Sequence, residues 1–175
     1  MAHALTALRL VLALPLAAAF ARPELLAPSV VAVLLGVALV TDVLDGRVAR
    51  MTGTASARGR LFDHGTDCLF VTAGLAGAAV TGAVTPLLPV LIPIAFGQYV
   101  VDSYVSHNQR QLRASALGRW NGVLYFVPLV LIAASRLQLP GGALLAGAAG
   151  VLGYVLATST VASVIDRATT PVGPH

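Results

Sequence analysis

Most of the acidic residues of this chain are concentrated in one short stretch. The sequence has seven acidic residues in 175, and four of them lie between positions 42 and 67: Asp42, Asp45, Asp63 and Asp67. Converging carboxylates repel one another unless cations neutralise them, and oxygen ligands select hard ions such as Mg²⁺, Mn²⁺ or Ca²⁺. A pair of such ions can clamp a diphosphate and stabilise charge on the attacking and leaving oxygens. The pattern therefore predicts a paired-metal site that handles a diphosphate.

Helical spacing would bring these carboxylates together. At about 100° per residue, Asp42 and Asp45 share one face of a helix. Asp63 and Asp67, four residues apart, form a stripe on the next helix. The connection between the two segments is short, so we expect antiparallel neighbours whose stripes face each other. Small residues on these faces leave room for a nucleotide, although close helix packing in membranes uses the same residue types: Gly46, Ala49 and Gly59.

The composition of the rest of the chain is typical of a membrane protein. The chain is 57% hydrophobic and 10% charged, whereas soluble domains have about 25% charged residues. A membrane-crossing helix needs about 20 residues, and six segments qualify: residues 4–21, 28–50, 61–83, 86–107, 117–136 and 141–165. The predicted fold is all-α, a single domain over residues 1–175 that forms a bundle of six transmembrane helices. The catalytic motif 42–67 would lie on the second and third helices.

The arginines predict how these helices are oriented. The first segment lacks a basic leader and a cleavage site, so we expect it to be retained as a span. All eleven basic residues are arginine, and positive residues in short loops stay on the cytoplasmic side. With the N-terminus inside, only Arg22 and Arg136 lie outside. Both termini and the acidic stretch are then on the cytoplasmic side of an inner or plasma membrane. Asp42 and Asp45 would lie at membrane depth, where ionisable residues indicate a functional site.

Other classes of function fit the sequence less well. A pI of about 10 would suggest nucleic acid, but no aromatic–basic interleaving, zinc-ligand spacing or basic tail accompanies it. The single cysteine, Cys68, excludes an internal disulfide and a cysteine metal site. A salt-bridge cluster with nearby arginines is the structural alternative for the aspartates. A divalent-cation transporter is the functional alternative, but residues 30–40 and 71–80 offer no polar path to the far side.

Three parts of the sequence resemble one known family. The acidic motif resembles, at every fixed position, the signature of the CDP-alcohol phosphotransferase (CDP-alcohol phosphatidyltransferase) family: Asp42, Asp45, Gly46, Ala49, Arg50, Gly59, Asp63 and Asp67. Residues 5–15, LTALRLVLALP, resemble the first-helix opening of members that use CDP-diacylglycerol. Residues 117–126 resemble a looser fifth-helix Gly-Lys-x-x-Thr segment, with Arg119 at the Lys position and Gly122 at the Thr position. The resemblance implies six helices, a homodimer, and displacement at the β-phosphate of a CDP-linked alcohol with release of CMP.

The resemblance also implies a role for each residue of the motif. Asp42, Asp45 and Asp63 would bind two divalent cations, Mg²⁺ or Mn²⁺. Asp67 would be a ligand, the base that takes the acceptor proton, or both. The implied partners are a CDP-linked lipid or alcohol donor, a small polar or lipid alcohol acceptor, membrane lipid and a second copy of the chain. The nucleotide would bind at five positions: Asp42, Gly46, Ala49, Arg50 and Gly59.

His64 leaves the donor and the general base open. The segment LFDHGTD, residues 61–67, resembles the FDHGCD of choline and ethanolamine phosphotransferases, which pass a head group to diacylglycerol. Members that use CDP-diacylglycerol more often have Pro or Ser at this position. Our preferred interpretation is a metal-dependent transferase of phospholipid synthesis that uses CDP-diacylglycerol, with the CDP-aminoalcohol reaction as the alternative. An imidazole titrates near working pH, so His64 also rivals Asp67 as the base.

Further arginines could bind a phosphate on the acceptor. Arg110, Arg113 and Arg119 lie on the predicted cytoplasmic side, with Arg58 or Arg60 opposite. A planar guanidinium matches the geometry of phosphate oxygens, although such residues also anchor membrane orientation. We therefore predict a phosphorylated acceptor such as glycerol 3-phosphate or inositol phosphate.

Overall fold

The fold consists of helices throughout the part of the chain that the structure describes. The structure is a computed structural model that describes residues 2–51, 57–101 and 116–169, without the side chains of residues 2–5, 45–51, 57, 58, 60 and 116. Its helical segments are α1 (Ala2–Ala21), α2 (Pro28–Met51), α3 (Ala57–Val80), α4 (Leu87–Val101), α5 (Ala116–Leu124), α6 (Phe126–Ser135) and α7 (Gly142–Thr169). No strand occurs in these ranges, which confirms the all-α prediction for them.

Within the described ranges, two helical stretches are long and apolar enough to cross a membrane. They are Leu117–Ser135, which covers α5 and α6, and Gly142–Thr169, which is α7. Shorter apolar stretches occur at Thr6–Ala21, Pro28–Leu44 and Leu87–Val101. The acidic motif lowers the hydropathy of α2 and α3, so the count of six spans stays a prediction. Large apolar side chains exposed on the outer faces favour a lipid environment: Val11, Leu14, Val80, Leu144 and Val151.

Contacts along α1 give the directions of the first three helices. Near the start of α1, Arg9 meets Asp42 late in α2 and Asp63 early in α3. Near its end, Ala17 lies against Gly77 late in α3, where an added Cβ would overlap the Ala17 carbonyl oxygen. α1 and α3 therefore run in the same direction, and α2 runs antiparallel to both. Only glycine permits so close an approach of two backbones.

The apolar core lies beside the second half of α1. Its members are fully buried leucines and one phenylalanine contributed by five helices, and side chains of this size are the ones that interiors bury most often. The core therefore packs against the second halves of α1 and α3. The largest of these side chains are Leu16, Phe20, Leu75, Leu88, Leu129 and Leu156.

The end of α1 is capped by a side chain from another helix. Arg136, directly after α6, donates from Nη1 to the carbonyl oxygen of Ala19 at 2.9 Å and from Nη2 to that of Phe20 at 3.0 Å. Its guanidinium also lies 5.4 Å from the centre of the Phe20 ring. The last carbonyls of a helix have no partner within the helix. Arg136 therefore satisfies two of them and joins the end of α6 to the end of α1.

The break between α5 and α6 has a local cause. Pro128, in the first turn of α6, has no N–H, so the Leu124 carbonyl cannot receive the helical hydrogen bond from it. Tyr125 lies at the break, and its hydroxyl is 2.7 Å from the hydroxyl of Thr160 on α7. Thr160 itself donates to the Leu156 carbonyl, so Tyr125 is the donor in this pair. The hydrogen bond ties the break to α7.

Candidate active site

Three aspartates from two helices converge on one arginine from a third helix. Arg9, on α1, is completely buried, and its Nη1 lies 2.9 Å from Asp42 Oδ1 on α2. The same nitrogen donates a hydrogen bond to Asp67 Oδ1 and lies 3.6 Å from Asp63 Oδ1, both on α3. The carboxylates are partly exposed, whereas the guanidinium is not. One cation therefore lies behind three carboxylates that face an open space.

The described donor atoms fit a hard divalent cation. Asp63, His64 and Asp67 each offer one ligand atom, and these atoms lie within 4.8 Å of one another. Asp63 Oδ1 is buried and accepts no hydrogen bond from the part of the chain that is described. A buried carboxylate oxygen without a donor is costly unless a cation neutralises it, and Mg²⁺ and Mn²⁺ prefer carboxylate oxygens. Because His64 is exposed, its imidazole can approach the same position from the open side.

The carboxylates form one wall of a cavity of about 670 Å³. This volume is within the range of small-molecule sites, about 300–1,000 Å³. The charged and ionisable lining residues of the cavity include Asp42, Asp63, His64, Asp67 and Arg119. The rest of the lining is mostly apolar or aromatic and comes from α2 to α7. The arrangement can therefore place an apolar or aromatic group next to a charged site.

Polar groups without partners lie on the wall formed by α4, α5 and α7. Arg167 stacks over the Tyr99 ring at 5.1 Å, and its Nε and Nη1 are buried without a hydrogen-bond partner among the described residues. Asn121 accepts a hydrogen bond from Ser159 at 2.8 Å, and its Nδ2 is also buried without a described partner. Gln98 donates to the Val164 carbonyl of α7, and its Oε1 has no hydrogen-bond partner in the part of the chain that is described. The unsatisfied donors of Arg167 and Asn121 indicate a ligand with acceptor oxygens.

Some residues predicted for the site are placed only in part. Arg119 is exposed and lines the cavity, while Gly59 is half-buried on α3 and is not among the lining residues. The structure describes the backbone of four motif residues within α2 but not their side chains: Asp45, Gly46, Ala49 and Arg50. Two arginines predicted for the acceptor, Arg110 and Arg113, lie outside the described residues. The described part of the site thus consists of Asp42, Asp63, His64, Asp67 and Arg119.

Four residues of the site were not predicted as such. Arg9 and Arg167 served only to predict membrane orientation. Arg9 lies in the LTALR segment that resembles a family motif, so that segment was the signal that could have found it. Gln98 is an isolated polar residue in the apolar helix α4, and one polar residue has no periodicity that would predict its neighbours. Asn121 lies two residues after Arg119 in the 117–126 segment that resembles a family motif, so that segment was the signal that could have found it.

The comparison with protein families gives one match. The model of the CDP-alcohol phosphatidyltransferase family matches residues 1–163, which include Arg9, the acidic motif and most of α7. No curated protein and no solved structure matches the chain.

Proposed function

Because the chain belongs to the CDP-alcohol phosphatidyltransferase family, we propose that it transfers a phosphatidyl group from CDP-diacylglycerol to a hydroxyl acceptor and releases CMP. The members of this family are phosphotransferases. The acidic motif predicted membership in this family, and the family match confirms that prediction. The specific donor, acceptor and metal ions belong to the proposal.

One observation carries the proposal beyond the family. Asp42 on α2 and the pair Asp63 and Asp67 on α3 lie around one position at the wall of a cavity of about 670 Å³. A salt-bridge cluster alone would not need a cavity of this volume beside it. The combination of carboxylates with a mostly apolar lining supports a substrate with a charged diphosphate and an apolar or aromatic part.

The proposed chemistry assigns the proton to a residue of α3. Asp42, Asp45, Asp63 and Asp67 would hold two Mg²⁺ or Mn²⁺ ions, which when bound offset the diphosphate charge and stabilise the attacking and leaving oxygens. Asp67 takes the proton of the acceptor hydroxyl. The hydroxyl oxygen bonds to the β-phosphorus, the bond from that phosphorus to the CMP oxygen breaks, and CMP leaves with the bonding electrons. His64, exposed beside Asp63, is the alternative base.

The donor has a second candidate. The segment LFDHGTD, residues 61–67, favours CDP-choline or CDP-ethanolamine with diacylglycerol as acceptor. The LTALRLVLALP segment, residues 5–15, favours CDP-diacylglycerol. We prefer CDP-diacylglycerol because this interpretation rests on a longer segment. That segment also supplies Arg9, which contacts the carboxylates.

The acceptor in our proposal carries a phosphate. Arg119 lines the cavity, and Arg167 has two buried nitrogens without a described partner. Guanidinium groups bind phosphate through paired hydrogen bonds. We therefore add Arg167 to the predicted acceptor set of Arg110, Arg113 and Arg119, and propose glycerol 3-phosphate or an inositol phosphate as the acceptor class.

The membrane placement of the site follows the charge pattern. Two helical stretches that can cross a membrane and a membrane-associated family support a membrane protein. We propose that the chain is a single multi-pass domain over residues 1–175, with both termini and the active site on the cytoplasmic side, as the arginine distribution predicts. The proposed homodimer has the family resemblance as its support.

The test is CMP release by the purified full-length protein in lipid vesicles. CDP-diacylglycerol with a panel of acceptors is compared with CDP-choline and CDP-ethanolamine supplied with diacylglycerol, each with Mg²⁺ or Mn²⁺. We expect release from CDP-diacylglycerol with a phosphorylated acceptor. Asp67→Asn should lose at least about 10²-fold in turnover, the usual contribution of general-base catalysis, and His64→Ala should lose far less.

The control is an acidic residue remote from the site. Glu24 is exposed in the connection between α1 and α2, so Glu24→Gln removes one carboxylate without touching the cavity and should keep wild-type turnover. Near-normal turnover of Asp67→Asn would refute the base assignment. Release from the CDP-aminoalcohols alone would refute the donor, and no release from any CDP-alcohol would refute the proposed function.

A further inference from the structure

Arg9 reaches the carboxylates from a helix outside the acidic motif. Its side chain is completely buried, and a buried guanidinium is strongly destabilising unless it is paired. In the described ion pairs, Nη1 is the nitrogen that approaches Asp42, Asp63 and Asp67. The carboxylates and Arg9 therefore depend on each other for charge neutralisation.

Arg9 cannot satisfy this cluster completely. A guanidinium Nη carries two hydrogens, and three carboxylates surround Nη1. It bonds Asp67 and lies 2.9 Å from Asp42, while the 3.6 Å to Asp63 Oδ1 is too long for a hydrogen bond. Asp63 Oδ1 accordingly accepts no hydrogen bond from the residues that are described. Among the described side chains, one guanidinium faces three carboxylates, so this part of the cluster is net negative.

We propose that Arg9 is an internal counter-cation, which holds the carboxylates together in the metal-free protein and yields them to the divalent ions on binding. The inference rests on the metal site of the proposed function. A divalent ion accepts several oxygen ligands at once, so it can satisfy the oxygen of Asp63 that Arg9 leaves without a donor. Arg9 is a positioning residue in this account, because it acts through the carboxylates.

The proposal predicts that loss of Arg9 changes the Tm without metal and the Tm with metal differently, whereas loss of a packing contact would lower both equally. Without Arg9, the metal-free carboxylates repel one another and the contact between α1, α2 and α3 weakens. With metal bound, the ions supply the missing positive charge and stability returns. Removal of Arg9 also removes a competitor for the same oxygens, so the metal should bind more tightly.

The test uses Mn²⁺ binding and thermal unfolding of the full-length protein in lipid nanodiscs. Arg9→Met keeps most of the side-chain length and removes the charge. We expect a lower Tm than wild type without metal, a Tm near wild type in saturating Mn²⁺, and a Kd for Mn²⁺ that is about tenfold lower. Arg9→Lys keeps a charge and should recover most of the metal-free Tm.

Arg136→Met is the matched control. Arg136 bonds neutral carbonyls at the end of α1, so its loss should lower Tm equally with and without Mn²⁺ and leave the Kd unchanged. If Arg9→Met can be purified as folded protein only in the presence of Mn²⁺, the proposal is supported. If it cannot be purified as folded protein with or without Mn²⁺, the proposal is contradicted, because the metal should replace the lost charge.

Two further outcomes distinguish this inference from the proposed function. Suppose that wild type binds Mn²⁺ but Arg9→Met binds it equally or more weakly, or that the decrease in Tm caused by Arg9→Met is the same with and without Mn²⁺. Either result overturns the inference and leaves the metal site in place. If wild type binds no Mn²⁺, the metal site is overturned and the inference with it.

Discussion

The two halves of α1 make different kinds of contact with the same neighbour. In the first half, α1 meets α3 through a charged pair, Arg9 with Asp63 and Asp67. In the second half, the two backbones approach so closely at Ala17 and Gly77 that a Cβ on Gly77 would overlap a carbonyl oxygen. α1 and α3 are therefore in direct backbone contact at one end and joined through charged side chains at the other.

This difference assigns different tasks to the two halves. The close-packed half lies against the apolar core and is capped by Arg136, whose partners are neutral backbone carbonyls. The charged half borders the cavity, and its partners are carboxylates that a divalent ion can take over. A rigid half can hold helices at a fixed spacing while the other half exchanges cations. Variants of the first should change stability alone, and variants of the second should change metal binding.

The largest effect on the rigid half is expected from Gly77→Ala. The added Cβ would overlap the carbonyl oxygen of Ala17, and neither backbone can move without displacing the core. Overpacking of this kind costs about 1–3 kcal/mol, and we expect the upper part of that range. The measurement is the free energy of unfolding in detergent, together with the Kd for Mn²⁺, which should stay at the wild-type value.

Gly147→Ala is the matched control for Gly77→Ala. Gly147 lies in α7, and nothing lies within 4 Å of the Cβ that alanine would add there. Alanine is favoured over glycine in an open helix position by up to about 1 kcal/mol, so this variant should be neutral or slightly more stable. Equal stability of Gly77→Ala and Gly147→Ala would contradict a close contact between α1 and α3.

An intermediate effect on the rigid half is expected from Arg136→Met. The substitution removes the hydrogen bonds to Ala19 and Phe20, and hydrogen bonds from a charged donor contribute about 1.5–3 kcal/mol each. Because Arg136 is only half-buried, water can replace part of this, and we expect a loss of about 2 kcal/mol in all. Turnover per folded molecule should be unchanged in a CMP-release assay. A loss of turnover at normal stability would show that the two halves are coupled.

The charged half was the more predictable of the two from sequence. Aspartates at helical spacing predict which side chains share a face, and the structure brings Asp42, Asp63 and Asp67 together. The partner of this cluster was predicted less well. Arg9 was expected only to mark a cytoplasmic end, and its described partners are the aspartates of the motif.

The rigid half shows why the rest could not be predicted. A periodic pattern gives the face of a helix but not the rotation of its neighbours, so nothing in the sequence distinguishes Gly77 from the open Gly147. The break at Tyr125 follows from Pro128, which prevents one helical hydrogen bond, but its attachment to Thr160 depends on where α7 packs. Contacts between residues far apart in sequence are set by packing, and the composition of each helix is compatible with several arrangements.

The smallest effect tests where the boundary between the two halves lies. Tyr125 lines the cavity and donates to Thr160 on α7, but it does not contact the carboxylates in any of the described pairs. Tyr125→Phe removes this hydrogen bond and keeps the ring, and such bonds inside membrane proteins average about 0.6 kcal/mol. We expect a loss of that size in the free energy of unfolding and no change in the Kd for Mn²⁺.

The control is Tyr154→Phe, because Tyr154 is an exposed tyrosine of the same helix as Thr160. This variant should change neither quantity. If Tyr125→Phe altered Mn²⁺ binding, the charged half would have to extend past the α5–α6 break, and the cavity would link metal binding to the packing of α7.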